Sequence, residues 1–377
     1  MWNFMSLEGF SMPGEKDMDK KIVEDFSAAL EKIDDGACSA YQDKMNIMVD
    51  RVNQVMLSRR DLNDLIGSNP KEVMLQNHGN HARFMTSQFC IKSPETFIRI
   101  TAWVYHTYIA RGFSPRYFLV ELRQWQKAVE HYLDPKSAEL INAFYQVMID
   151  HHENVLELSR KIVKPEDVPE HVSPLMREYL QAILEPDTVK ALQMVREYVT
   201  SSDKIKPWCE EVIRPAMYEL GRLWAIGEIT VGEEHLATSI TQRVIASYYP
   251  LILDYPRDKG AVMVSASPGE YHEIGPRILA DLMELNGWNV YYSGADTPAD
   301  SIVRFLHKNR PKHICISTTL TSNLIYVVNL VKNIRDIGAT EVIVGGQAYM
   351  ADPRLWEKVG ADNYFENADS LLKHINK

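Results

Sequence analysis

Glu270-Tyr271-His272-Glu273-Ile274-Gly275 is the stretch on which the fold turns. It follows Ala261-Val262-Met263-Val264-Ser265-Ala266, an apolar run that reads as a buried strand. Pro276 to Asn286 reads as the next helix. His272 therefore falls on a loop at the carboxyl end of a first strand, where open α/β sheets bind ligands. A His between two Glu also fits a solvated loop. Later strands add to the case. Ser317 and Thr319 stand at the end of a third strand, His313 to Ser317, and Gly345-Gly346 close a fourth. In all, strands are expected near 260–266, 289–293, 313–317, 341–345 and 362–365, with helices between them. Five parallel strands with short connections give a flavodoxin-like sheet. Asp296-Thr297-Pro298 is expected to cap the helix after the second strand.

The set Glu270-x-His272-x-x-Gly275, Ser317-x-Thr319 and Gly345-Gly346 resembles the cobalamin-binding Rossmann-like domain of methionine synthase and its relatives. The family pattern is Asp-x-His-x-x-Gly, Ser-x-Leu, Gly-Gly. Here Glu replaces the Asp and Thr the Leu, which keeps a carboxylate and a small side chain. The resemblance implies that His272 is the lower axial ligand to cobalt, in place of the cofactor's own base, with Glu270 fixing its tautomer. It also implies a cofactor lining of Glu270, Tyr271, His272, Glu273, Ile274, Gly275, Ser317, Thr319, Gly345 and Gly346. Hydroxyls and glycines there line a slot for the displaced nucleotide tail.

Composition bounds the rest. The chain has 377 residues, enough for two or three domains, with 45% apolar content. Its net charge of −10 and pI near 5.7 argue against nonspecific nucleic-acid binding. No apolar run is long enough to span a membrane, and no basic, apolar leader opens the sequence. Cys38, Cys90, Cys209 and Cys315 are scattered and read as reduced thiols of a cytoplasmic protein.

Four segments follow in order. Residues 1–163 form a helical domain, loosely ordered to about residue 16 and then helical throughout, with about seven helices. Its breaks fall at Gly36, Gly67 to Pro70, Ser93-Pro94, Gly112 to Pro115 and Asp134-Pro135, with Ser93 and Ser114 just before a first helical Pro. Residues 164–174 are a Pro-rich linker. Residues 175–255 give four helices, with breaks at Glu185 to Asp187, Ser201 to Asp203 and Gly227 to Thr230. Residues 256–377 are the alternating α/β domain. The fold class is thus multidomain, all-α followed by α/β.

The 175–255 segment resembles the four-helix cap of the same family. It holds Trp224, with Glu234 and His235 ten and eleven residues on. Each of these residues also fits an ordinary core or polar face. Together they resemble the motif of the light-sensing adenosylcobalamin proteins related to the carotenoid-gene repressor. That resemblance implies that Trp224 packs against the adenosyl group, that Glu234 hydrogen-bonds it, and that His235 is the upper cobalt ligand after light. The repressor's DNA-reading module has no counterpart here, so no direct DNA binding is expected.

The first domain is rich in aromatic and His side chains. These fit either a core or a pocket for a planar conjugated ligand. The domain resembles the N-terminal half of the photocobilins, which hold biliverdin beside cobalamin. His81, Arg83, Trp103, Tyr105, Tyr108 and Trp125 are the candidate residues for that second chromophore. The leading expectation is a photoreceptor, not an enzyme, whose light-cleaved adenosylcobalamin changes domain arrangement and homo-oligomerisation as dimer or tetramer. The alternatives are a corrinoid methyl carrier serving a methyltransferase, and a sensor of cobalamin level. No P-loop, nucleophile elbow or zinc spacing appears.

Overall fold

The structure, a computed structural model, describes residues 18–162, 173–338, 340–350, 352 and 354–377. The chain forms two compact units, and among the described residues 18–162 lie in one and 173–377 in the other. The expected loose terminus, and the linker up to residue 172, lie outside the described residues.

The first unit contains α1 (Lys20–Lys32), α2 (Asp35–Leu57), α3 (Leu62–Ile66), α4 (Lys71–Ile91), α5 (Pro94–Ala110), α6 (Arg116–Tyr132), α7 (Pro135–Asp150) and α8 (His152–Lys161). Short acidic caps start several of them. Asp34 accepts from Ala37 N at 2.9 Å and Asp134 from Ser137 N at 3.1 Å. The break expected at Gly36 falls just before Asp34, and Gly36 sits inside the first turn of α2. The short α3 is a helix that apolar spacing did not resolve. Pro94 opens α5 as expected, whereas α6 starts one residue after Pro115. The expectation of four reduced thiols is overturned. Cys38 of α2 and Cys90 of α4 are joined as a disulfide, because the antiparallel pair brings their Cα atoms to 6.2 Å.

The second unit begins with the cap: α9 (Pro174–Leu184), α10 (Thr188–Tyr198), α11 (Ile205–Trp208), α12 (Arg214–Ala225) and α13 (Val231–Tyr248). A π-helical turn, Cys209–Ile213, joins α11 to α12, so the cap is four-helical as expected. Thr230 and Glu233 make a reciprocal capping box at the start of α13. That box fixes the register of the next residues, Glu234 and His235.

The sheet follows, with β1 (Ala261–Ala266), α14 (Ile274–Leu285), β2 (Asn289–Tyr292), α15 (Ala299–Asn309), β3 (His313–Ser317), α16 (Leu324–Arg335), β4 (Glu341–Gly345), α17 (Leu355–Lys358), β5 (Asn363–Tyr364) and α18 (Ala368–Ile375). Strand order is β2-β1-β3-β4-β5, all parallel. The connection from β1 runs to β2 on one side and that from β3 runs to β4 on the other, so the crevice lies between the loops after β1 and β3. Ile274, Ile278 and Leu285 of α14 pack against the cap core, which seats the cap on the helix that leaves the His272 loop. Among the described residues no helix is long and apolar enough to cross a membrane.

Candidate functional site

The loop after β1 is built around one buried carboxylate. Glu270 is 0% exposed. Its Oε2 accepts from Thr319 N at 2.9 Å, Leu320 N at 3.0 Å and Asn323 Nδ2 at 3.2 Å, all from the segment after β3. Its Oε1 accepts from His272 N at 3.2 Å and, at short range, from His272 Nδ1. A buried charge persists only when so satisfied. Burial works to raise the Glu270 carboxyl, but His272 and the backbone donors outweigh it and hold it at about 2. Burial likewise works to lower His272, and the Glu270 charge and hydrogen bond turn the net shift upward.

A carboxylate accepting at Nδ1 puts the proton there and leaves the lone pair of the neutral ring on Nε2. His272 Nε2 is shielded from solvent and has no hydrogen-bond partner. Ser267 Oγ, Ser293 Oγ and Gln347 Oε1, just after β1, β2 and β4, are likewise buried without partners. Buried polar atoms are rarely left so, and these gather at the carboxyl edge of the sheet. A side chain at Gly275 would meet no atom of the chain within 4 Å. Among the described residues no three His, Cys, Asp or Glu side chains gather as a metal site. One imidazole can hold a metal only if the metal brings its other ligands, as cobalt in a corrin ring does. The residues present fit that group.

Asp296 does not cap α15, where Pro298 occupies the cap position with no side-chain bond. Its carboxylate instead accepts from Gly269 N at 2.9 Å, and its own N–H donates to Glu270 O at 2.9 Å, pinning the His272 loop to the turn after β2. Asn323 was not singled out from the sequence, since an Asn at a helix start reads as an ordinary cap. It holds Gly269 O at 3.1 Å as well as Glu270. Of the remaining expected residues, Tyr271 is 40% exposed, and Glu273 accepts from Gln242 of the cap at 2.5 Å. Ile274 is turned to the cap core. Ser317 pairs with Gly345 across β3 and β4. At Gly346, with φ of 97°, a Cβ would lie 2.5 Å from Thr318 O, so the close approach of that turn to the β3 loop requires glycine.

On the cap, Trp224 and Glu234 are buried and His235 is exposed. Glu234 Oε2 accepts from His235 Nδ1 at 2.7 Å, and Oε1 from Thr238 Oγ1 at 2.8 Å. The charge of Glu234 also reaches His272, so the cap carboxylate and the loop imidazole share one electrostatic neighbourhood.

The first unit gathers its singled-out residues into a packed polar seam. His81 stacks on Trp125 with ring centres 5.0 Å apart and meets Tyr145 Oη at 3.1 Å. Trp125 Nε1 donates to Glu121 at 3.1 Å. Tyr105 lies 3.6 Å from the Phe118 ring and bonds His152, and Tyr108 flanks the same Phe118. Trp103 is buried too, while Arg83 bonds Asn80 in its own helix. These rings fill a core, so a planar ligand among them would have to part existing stacks. Burial pushes His78 and His81 down to about 3 and the Glu121 carboxyl up to about 7. The folded Glu121 value lies above the ordinary 4.5, so the native unit keeps a proton that the unfolded chain loses. This contribution is full below about pH 4.5 and is lost as pH rises to about 7, worth about 3 kcal/mol. Glu121→Gln is expected to flatten the pH dependence of melting over that window. Equal slopes in both proteins would refute it.

Residues 260–374 match a family model described as a B12 binding domain, and residues 175–248 match a second model of the same description. The trimethylamine corrinoid protein of Methanosarcina barkeri is 22% identical over 52% of this chain and 92% of its own length. The HTH-type transcriptional repressor CarA of Myxococcus xanthus is 24% identical over 46% of this chain and 58% of its own. Among solved structures, the monomethylamine corrinoid protein of Methanosarcina barkeri aligns with 53% of this chain and 96% of its own, at 18% identity and a TM-score of 0.47.

Proposed function

We propose that this chain, whose residues 175–248 and 260–374 belong to the B12-binding domain family, is a light-responsive cobalamin protein and not a catalyst. The supporting observation is the cap, where Trp224 and Glu234 are both buried, Glu234 bonds the exposed His235, and the Glu234 charge reaches His272. His272 would hold the cobalt through Nε2, with Glu270 fixing its tautomer. Trp224 and Glu234 would hold the organic group on the upper side, with Thr238 keeping Glu234 in place. Bound adenosylcobalamin supplies a cobalt–carbon bond that visible light breaks. Trp224 and Glu234 would then lose the group they hold and His235 would be free to serve as a ligand, which would bias how the cap packs and how copies associate. A bilin in the first unit, as second chromophore, belongs to the same proposal. A red absorption band that forms only on expression with biliverdin supports it, and no such band removes it.

Trp224→Ala and Glu234→Ala are the test. Each is expected to weaken adenosylcobalamin binding roughly 10- to 100-fold, Glu234 through a hydrogen bond to a charged group and Trp224 through a large aromatic contact. Methylcobalamin, with almost nothing for these residues to touch, should bind nearly as before. Green light should then change the elution volume of the adenosylcobalamin-loaded protein. An unchanged volume, or equal losses for both cobalamins, rejects the light-sensor reading.

The second reading is a corrinoid carrier of methyl groups. It is supported by the similarity to the trimethylamine corrinoid protein. It uses the same His272 and gives Trp224 and Glu234 no selective role, so the two-cobalamin comparison separates the readings.

A further inference from the structure

The Cys38–Cys90 bridge belongs to no part of the cobalamin site. It ties the first turns of α2 to the last turn of α4, across 52 residues of sequence. The two cysteines differ in access. Cys38 is 6% exposed and Cys90 is exposed. Cys209 and Cys315 are buried free thiols, and burial pushes both upward, Cys209 to about 12. They are therefore poor nucleophiles, and Cys90 is the exposed cysteine among the described residues.

The helix pair is well held without the bridge. Tyr41 meets Phe89 edge-on at 5.1 Å, and His78 Nδ1 meets Asn53 Oδ1 at 2.6 Å. Met48, Val52 and Met56 are buried on α2, and Met85 on α4. A helical unit with a core of this size does not need a disulfide to fold. Beyond Cys90 the helix ends at once, with Lys92 left-handed at φ 53°. Release of the bridge thus frees a helix end and leaves the core in place.

We propose that Cys38–Cys90 is a thiol–disulfide exchange site, taking an external dithiol, that sets how firmly the end of α4 is held to the start of α2. A thiolate of the dithiol attacks Sγ of the exposed Cys90, and the S–S bond breaks. Cys38 leaves with the electron pair and takes up a proton. The second thiol of the reagent then displaces Cys90, which is protonated in turn. The protein gains two electrons and two protons, and the reagent leaves as its own disulfide.

The test uses the full chain, dithiothreitol as probe, and iodoacetamide with mass spectrometry as readout. Before reduction neither Cys38 nor Cys90 should be alkylated. After dithiothreitol without denaturant, the exposed Cys90 should be, with Cys209 and Cys315 spared. Amide exchange over residues 88–92 should then quicken on the order of tenfold or more, with 175–377 unchanged. The double variant Cys38→Ser, Cys90→Ser should exchange at the fast rate whether or not dithiothreitol is present. Alkylation before reduction, reduction only in denaturant, or unchanged amide exchange would each overturn the proposal, the second by marking the bridge as a fixed staple.

Discussion

His272→Ala is expected to lower cobalamin affinity by more than about 100-fold, since loss of a mere supporting partner already costs about 10- to 100-fold. Nε2 of His272 is buried, unpartnered and oriented by Glu270. Among the described residues no other group of ligands gathers to replace it. Glu270→Gln should cost less, about 10- to 100-fold, because it keeps the shape but weakens the hold on the imidazole tautomer. Asn323→Ala should move in the same direction, since Asn323 steadies both Gly269 O and Glu270. Titration of adenosylcobalamin followed by absorption measures all three. Binding by His272→Ala within tenfold of the unaltered protein, with an unchanged spectrum, would remove His272 as the lower ligand. A melting curve for each variant separates lost ligation from lost fold.

Cys38→Ser should destabilise the first unit by about 4 kcal/mol, from the loop-closure entropy of a bridge spanning 52 residues. For a unit of this size that lowers the melting temperature by roughly 10 °C. The effect acts on the unfolded chain, which the bridge denies many conformations, so it needs no change in native packing. Dithiothreitol should move the unaltered protein by the same amount and leave Cys38→Ser where it is. Coincident oxidised and reduced melts would show that the bridge contributes nothing to stability.

Several features were legible in the chain before any coordinates. The five strands fall within a residue or two of their expected bounds, because β1, β3 and β4 are short buried apolar runs and turn residues set off all five. The cap helices end where Pro186, Ser201 to Asp203 and Gly227 break the pattern. The His272 loop was found from its place after β1, and the structure puts it at the crevice between the β1 and β3 loops.

What local pattern determined was therefore the order of elements, the sheet and the position of the His272 loop, since helix period, strand run and turn chemistry act within a few residues. Tertiary structure alone decided the pairings between distant positions. It sent Asp296 to Gly269 and not to a helix cap, brought Asn323 to Glu270, joined Cys38 to Cys90, and packed Trp125, His81 and Glu121 into one buried seam. A side chain's partner across the fold depends on the path of the whole chain, and its protonation depends on the burial that path imposes, so neither is written in its own neighbourhood.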